Sequence, residues 1–265
     1  MRKVYRFMDN SDYWNQRWSN SGVDSAKFEN MDIYPIKYTQ MVIGNKDHKI
    51  LEAGCGAGRV FFHYKHLGYN ISGLEYSPIA VENIKKEDAE ADVIEGSVCD
   101  MPYKNGEFDT LLALGLYHNF EDQKMLEDSV RESARVLKTG GRILASVRAD
   151  NIENRLTEYI VKKQNPNKVF DKFHKLQFTL DDIKALFSKN ALEIEDAFYA
   201  RNVSFLFKFD LLRSKALKKN SFNEQQARSK GFQLNIVGKI LDKFLNKFFP
   251  SQFSNIIIVI AKKVD

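Results

Sequence analysis

Short apolar runs alternate with helical patterns between Lys49 and Val147, which is typical of consecutive β-strand–helix units. The pattern predicts strands at 50–53, 70–75, 91–95, 108–114 and 142–147, and helices at 60–67, 78–86 and 125–137. Residues 108–114 are apolar on both faces, as expected for a strand at the centre of a parallel sheet. This part of the chain therefore predicts an α/β core.

The second half of the chain is less regular. Helices are predicted at 151–164 and, from the capping-box pattern that begins at Thr179, up to about Lys189. Strands are predicted at 191–199 and 256–261, separated by some fifty residues where a simple α/β sheet needs only a tight turn. We interpret residues 1–40 as an N-terminal helical cover, 41–200 as the core, 201–252 as a helical cap inserted between strands six and seven, and 253–265 as the last strand.

Charge is unevenly distributed along the 265 residues, whose formal net charge is +5. Between Arg201 and Pro250 eleven Lys and Arg face three acids, so this segment carries +8 and the rest −3. Such a segment suggests an acidic partner for the cap alone. Two cysteines, no long apolar run and a polar N-terminus predict a cytoplasmic protein without a disulfide framework, a membrane span or a signal peptide.

The most informative stretch is the glycine-rich turn Leu51-Glu52-Ala53-Gly54-Cys55-Gly56-Ala57-Gly58-Arg59. Glycines after a first strand let a ligand approach the backbone at the N-terminus of the next helix. Glu52 would repel a pyrophosphate but suits a positively charged ligand, and Glu75, ending the second strand, is placed to accept both hydroxyls of a ribose. An adenosine that carries an amino acid and a cationic sulfur satisfies these requirements together.

With these features the sequence resembles the S-adenosylmethionine-dependent methyltransferases of the Rossmann-like class. It is most similar to the branch that includes ubiquinone/menaquinone and small-molecule methyltransferases. The resemblance covers about residues 45–150 and rests on spaced motifs: the glycine turn, Gly73-Leu74-Glu75-Tyr76-Ser77-Pro78, Glu95 to Tyr103, Phe108-Asp109 with Tyr117-His118-Asn119, and Arg135 to Gly141.

The resemblance implies a Rossmann-like, doubly wound, mostly parallel seven-stranded sheet with an antiparallel last strand. It also implies S-adenosylmethionine as cofactor, S-adenosylhomocysteine as product, and no metal. The residues that it assigns to the cofactor are Glu52, Gly54, Cys55, Gly56 and Gly58 around the methionine part, Glu75 at the ribose, Tyr76, Ser77, Ser97 and Val98 near the adenine, Gly115 at the end of strand four, and Tyr13 and Trp18 in the N-terminal cover. One departure from the family pattern is Ser97, where relatives usually carry an acid.

Candidate substrate-side residues follow from the same resemblance. His118, just after strand four, is a candidate general base, with loop packing as the alternative. Tyr117, Arg148 and Tyr199 are candidate substrate contacts. His63 and His66 have helical spacing but no third ligand nearby in sequence, so we interpret them as two surface histidines rather than a metal site.

The helix predicted at 236–249 has apolar pairs along one face and Lys239, Lys243 and Lys247 along another. In the simpler interpretation the apolar face packs on the body. In the alternative, residues 201–250 contact an anionic membrane surface or a lipid-linked substrate, and the protein is peripheral to the membrane.

The leading functional hypothesis is methyl transfer to oxygen or nitrogen of a small molecule by in-line displacement. RNA or protein methylation with the basic cap as docking surface, and cofactor binding without catalysis, remain alternatives, although no nucleic-acid-binding motif is present. The oligomeric state is open.

Overall fold

A seven-stranded sheet forms the centre of the computed structural model, which describes residues 1–7, 31, 34–200, 205–214 and 233–265. The strands are β1 (Arg2–Arg6), β2 (Ile50–Ala53), β3 (Ile71–Glu75), β4 (Val93–Glu95), β5 (Phe108–Leu114), β6 (Leu137–Arg148), β7 (Lys172–Gln177), β8 (Leu192–Ala200) and β9 (Ile256–Lys263). The α-helices are α1 (Ile36–Thr39), α2 (Arg59–His66), α3 (Pro78–Glu87), α4 (Gln123–Val136), α5 (Ile152–Gln164), α6 (Leu180–Ser188), α7 (Ile236–Phe248) and α8 (Pro250–Phe253).

The strand order of the large sheet is β4-β3-β2-β5-β6-β9-β8. Strands β2 to β6 pair in parallel, whereas β9 lies antiparallel between β6 and β8. This confirms the predicted Rossmann-like sheet with an antiparallel last strand. The order reverses between β2 and β5, and open α/β sheets bind ligands in the crevice beyond the strand ends at such a reversal.

Helices cover both faces of the sheet, and five of the eight described α-helices begin at side-chain caps. The Ser77 hydroxyl accepts from the Ala80 N–H at the start of α3. Thr179 and Asp182 form the predicted capping box of α6. One buried layer contains Leu111, Val130 and Phe187, and the other contains Ile50, Phe61 and Ile84. The core thus places the carboxyl ends of β2, β3 and β5 at one fixed edge.

Strand β6 is longer than predicted. The pair Gly140-Gly141 was expected to precede the strand, but pairing starts at Leu137 opposite Phe108. Gly140 adopts a φ of 80°, and a Cβ on Gly141 would lie 2.9 Å from the Lys138 carbonyl oxygen. The two glycines therefore form an irregularity inside the strand rather than its boundary.

The N-terminal segment departs from the predicted helical cover. Residues Arg2–Arg6 form a strand that pairs antiparallel with β7, a strand that the pattern did not predict. The Arg2 guanidinium donates to both carboxylate oxygens of Glu158, at 2.9 and 2.8 Å, and to Asp150 at 3.0 Å. These bonds attach β1 to the middle of α5 and to the loop before it. The predicted cover residues Tyr13 and Trp18 lie outside the described residues.

In the predicted cap, the described residues are 205–214 and 233–252. They form two short 3-10 turns, Phe205–Lys208 and Asp210–Leu212, followed by α7 and α8. None of the helices in the described part of the chain has the length and apolar character needed to cross a bilayer.

Candidate active site

The glycine turn lies where β2 ends and α2 begins. Gly54, Gly56 and Gly58 all have positive φ, at 74°, 55° and 76°, which only glycine adopts without strain. A Cβ on Gly58 would also lie 2.8 Å from the Phe62 ring, and one on Gly54 would lie 3.1 Å from Leu116. The turn therefore requires glycine for both conformation and space, and it keeps its backbone open towards the strand ends.

Glu75 connects the glycine turn to the end of β3. One carboxylate oxygen accepts from the Gly56 N–H at 2.8 Å, and the other accepts from the Ser77 N–H at 3.0 Å. Each oxygen retains a further lone pair for a ligand hydroxyl. The side chain of Ser77 caps α3, so this residue offers its backbone rather than its hydroxyl to the site.

Glu52 is a buried acid beneath the glycine turn. Its side chain is 4% exposed, and its Oε2 has no hydrogen-bond partner among the described residues. Burial raises the pKa of Glu52 to about 8; an N–H bond from Phe61 opposes this, and the charge of Glu75 adds to it. A buried carboxyl oxygen without a partner is costly. The position thus suits a ligand group that brings positive charge.

Cys55 lies under the turn rather than facing the crevice. Its thiol is buried, and burial raises its pKa well above the usual range, so it is an unreactive side chain. A Cβ on Gly73 would lie 3.0 Å from the Cys55 sulfur and 2.9 Å from Val93. Because Cys55 is small and Gly73 has no side chain, β3 can lie close beneath the turn.

The predicted adenine side is formed by the ends of β3 and β4. Tyr76 is 79% exposed, and Val98 is almost fully buried nearby in the core. The Ser97 hydroxyl accepts from the Cys99 N–H at 3.2 Å and so shapes the loop locally. Arg135 donates to the carbonyl oxygens of Met101 and Tyr103, each at 2.8 Å, which fixes the loop that carries Val98.

The end of β5 is fixed by residues that the sequence analysis did not select. The Gly115 N–H donates to the Ser146 hydroxyl at 2.9 Å, and that hydroxyl lies 2.8 Å from the Tyr34 hydroxyl. Burial raises the pKa of Tyr34, and the nearby charges of Arg148 and Arg59 oppose this effect. No sequence motif marks Tyr34, since its contact with Ser146 exists only in the folded structure.

His118 is buried in the 3-10 turn Tyr117–Asn119, just after β5. Its Nδ1 has no hydrogen-bond partner within the described part of the chain. Burial lowers the pKa of His118 well below its usual range, and the charges of Arg148, Lys175 and His174 lower it further. The imidazole is therefore neutral at physiological pH, and the structure brings together His118 and the predicted residue Arg148.

The two predicted tyrosine contacts have different surroundings. The Tyr117 ring is fully buried against Phe187, and its hydroxyl donates to Ser133 at 2.8 Å, which removes it from the crevice. Tyr199 is half-buried on β8, the outermost strand, and packs against the core beside Leu180. The prediction for Tyr117 is therefore wrong, because its ring and hydroxyl are both held in the core, whereas Tyr199 stays a predicted contact.

His63 and His66 do not form the predicted pair of surface histidines. His63 is buried with its ring against Tyr64, whereas His66 is exposed and lies over Phe62. Burial lowers the pKa of His63. Nowhere in the described residues do three His, Cys, Asp or Glu side chains come together as a metal site would require.

Comparison with known proteins agrees with this geometry. Residues 51–145 match the family model described as "Methyltransferase domain". The human "Probable tRNA methyltransferase 9B" is 30% identical over 40% of this chain and 22% of its own length, and ajmaline N-methyltransferase of Rauvolfia serpentina is 31% identical over 37% of this chain and 35% of its own length. The chain spans about half the length or less of such curated relatives.

Among solved structures, a SAM-dependent methyltransferase from Methanosarcina mazei superposes with a TM-score of 0.59 over 88% of this chain and 99% of that chain, at 15% identity. At this identity the match shows the fold alone. The sheet order, the glycine turn and the acid that ends β3 define a class I, Rossmann-like methyltransferase fold. Residues 51–145 thus match a methyltransferase domain, within a fold that the chain shares with S-adenosylmethionine-dependent methyltransferases.

Proposed function

We propose that this protein binds S-adenosylmethionine at the ends of β2, β3 and β5 and transfers its methyl group to a small-molecule acceptor. The observation that carries the proposal is the buried Glu52 carboxyl, whose Oε2 has no partner among the described residues. The cofactor carries an ammonium group that would supply the missing positive charge. Glu75 retains acceptor capacity for the ribose hydroxyls, and Tyr76 and Val98 would flank the adenine.

The chemistry that the cofactor supplies is a methyl group on a sulfonium, open to in-line displacement. The chain's own residues then have to align the acceptor and keep water away. His118 is positioned for this task, because it is buried and neutral and lies in the turn that follows β5. As a neutral imidazole it can accept a hydrogen bond from an O–H or N–H of the acceptor.

The surroundings of His118 disfavour its protonated form. Burial lowers the pKa of His118 most, and the positive charges of Arg148 and Lys175 add to this effect. Full transfer of a proton to His118 would therefore be costly at the start of the reaction. We infer that His118 orients the nucleophile by accepting a hydrogen bond and takes its proton only as the methyl transfer proceeds.

A small-molecule acceptor is supported by the enclosed position of His118 beneath the β1–β7 sheet. The match to ajmaline N-methyltransferase is in keeping with it. RNA is the second candidate, because a human relative is named for tRNA methylation and residues 201–250 carry +8. If RNA is the substrate, the protein should bind RNA in a gel-shift assay, and this binding should weaken steeply as the salt concentration rises.

Calorimetric titration with S-adenosylhomocysteine tests the cofactor site. We expect micromolar binding to the wild type, a loss of at least about tenfold in Glu75→Ala because charge-assisted hydrogen bonds are removed, and no binding to Gly56→Val. Glu90→Ala, an exposed acid outside the site, is the matched control. Equal affinity in Glu75→Ala and Glu90→Ala would refute the assignment of Glu75, and no binding to the wild type would refute the proposal.

A further inference from the structure

Helix α7 presents its apolar side to solvent, contrary to the simpler interpretation of its sequence. Ile236 is 78% exposed, Ile240 65%, Val237 64% and Phe248 58%. Phe244 lies on the same side and contacts the Phe248 ring at 5.0 Å between centroids. In a helix, positions 236, 240 and 244 and positions 237, 241, 244 and 248 form adjacent rows. The exposed apolar residues therefore make one continuous face.

The opposite side of α7 fixes this orientation. Gly238 is buried, and a Cβ there would lie 2.9 Å from the carbonyl oxygen of Leu212. Leu245 packs on the small cluster of Leu206, Phe207 and Leu234. The cap residue Asn235 accepts from the Gly238 N–H and donates to the Leu211 carbonyl oxygen at 2.7 Å. The helix is thus attached through its narrow glycine side, which turns the wide apolar face outwards.

A row of lysines borders the apolar face. Lys239, Lys243 and Lys247 follow one another at four-residue spacing, are all exposed, and lie next to the row that begins at Ile236. The Lys247 ammonium lies 5.5 Å from the centre of the Phe248 ring. The one acid of the helix, Asp242, is half-buried on the side turned to the body. The exposed surface of α7 therefore combines apolar contact area with positive charge.

We propose that α7 docks on an anionic lipid surface and lies in the plane of its headgroups. An exposed apolar helix face with lysines along its border is the arrangement that places apolar side chains below the headgroups and ammonium groups among them. With 13 residues, α7 is about 20 Å long and too short to span a bilayer. Leu211, 78% exposed, lies beside the start of α7.

Charge distinguishes this partner from the other ways of covering an apolar face. A second copy of the chain would bring its own lysine row against the first, and the described residues of α7 offer no exposed acid to pair with it. RNA would be drawn to the lysines but would leave the apolar residues without a partner. An anionic bilayer satisfies both parts of the surface.

Vesicle flotation with the full chain tests this proposal. Vesicles of phosphatidylcholine are compared with vesicles containing three parts in ten phosphatidylglycerol, at low and high salt. We expect binding to the anionic vesicles that weakens with salt, and a loss of about 100-fold in the variant Lys239→Gln/Lys243→Gln/Lys247→Gln, since each lysine near such a surface contributes about a fivefold change. Ile240→Glu should weaken binding at least tenfold.

Matched controls separate docking from general effects. Lys239→Arg/Lys243→Arg/Lys247→Arg keeps the charge and should retain binding, and Val169→Glu alters an apolar side chain that is 72% exposed outside this face. Equal binding to both vesicle types, or an equal loss in Val169→Glu and Ile240→Glu, would overturn the proposal. So would a dimer in sedimentation equilibrium that Ile240→Glu dissociates, because a second copy would then cover the face. Affinity for S-adenosylhomocysteine, measured in parallel, should be the same in all variants.

Discussion

Replacing the buried Glu52 by glutamine should stabilise the ligand-free protein at alkaline pH while weakening its affinity for the cofactor. The pKa of Glu52 is about 8 in the folded protein against an ordinary value of 4.5, because burial disfavours the carboxylate. A group whose pKa is raised on folding contributes its full stability below its unfolded pKa and loses it as pH rises towards the folded value. Wild-type stability should therefore fall between about pH 4.5 and 8.

The size of this effect follows from the difference of about 3.5 pH units between the two pKa values. At 1.36 kcal/mol per unit, ionisation of Glu52 costs about 4 kcal/mol at pH 8 and less than about 1 kcal/mol at pH 5. Glutamine keeps the bond from the Phe61 N–H, and the cost of its buried amide is the same at both pH values. The stability difference between variant and wild type should thus change by about 3 kcal/mol between pH 5 and pH 8.

Thermal unfolding of both proteins at pH 5 and pH 8 measures this change. For a chain of this size, about 3 kcal/mol corresponds to roughly 6–12 °C in Tm. The exposed variant Glu90→Gln is the control and should show no such dependence on pH. If Glu52→Gln shifted the Tm equally at both pH values, burial would not be what holds the proton on Glu52, and the electrostatic basis of the cofactor site would fall.

Three further predictions follow from neighbouring groups. Binding of S-adenosylhomocysteine, through its ammonium group, to wild type at pH 7 should release about 0.9 proton from Glu52. This release is seen as a dependence of the calorimetric heat on buffer ionisation and should be absent in Glu52→Gln. His118→Ala should lower kcat about 100-fold and leave the affinity for S-adenosylhomocysteine unchanged. The wild-type rate should stay level down to pH 6, because the pKa of His118 is depressed. A fall in rate centred near pH 6.5 would contradict this. Tyr117→Phe should lower stability by about 1 kcal/mol through the lost bond to Ser133 and leave both kcat and cofactor affinity unchanged; a fall in kcat would return Tyr117 to the site.

The parallel core could be predicted from sequence because its signals are local. The strand 108–114 is apolar at five of its seven positions, the α3 and α6 caps lie directly before the helices they start, and the glycine turn has its own spacing. The β1–β7 pair gave no such signal, since Arg2 pairs with Gln177 and both strands are rich in cations rather than alternating in polarity. The predicted N-terminal cover failed at Arg2–Arg6 for this reason.

The candidate site divides in the same way. Glu52, Glu75 and the glycines are placed by strand ends and could be predicted, whereas Tyr34 reaches Ser146 across 112 positions of the chain. The sequence does not indicate which of two neighbours in a tight turn faces the candidate site. The 3-10 geometry alone directs His118 towards that site and Tyr117 into the core. Which side of α7 faces solvent likewise depends on the packing of Gly238 against Leu212. The pattern of the helix alone does not predict this contact.

Glu52 and Glu75 illustrate how one sheet edge gives two carboxyl groups different tasks. Glu75 accepts two backbone N–H bonds and so holds its place between the glycine turn and α3 before any ligand arrives. Glu52 is enclosed and, with a pKa of about 8, holds its proton at neutral pH in the ligand-free protein. The first is pre-organised for hydroxyl groups, and the second responds to charge, so a neutral adenosine should satisfy Glu75 and leave Glu52 protonated. We therefore expect selectivity for a cationic amino-acid nucleoside over other nucleosides to depend on Glu52 rather than on the glycine turn.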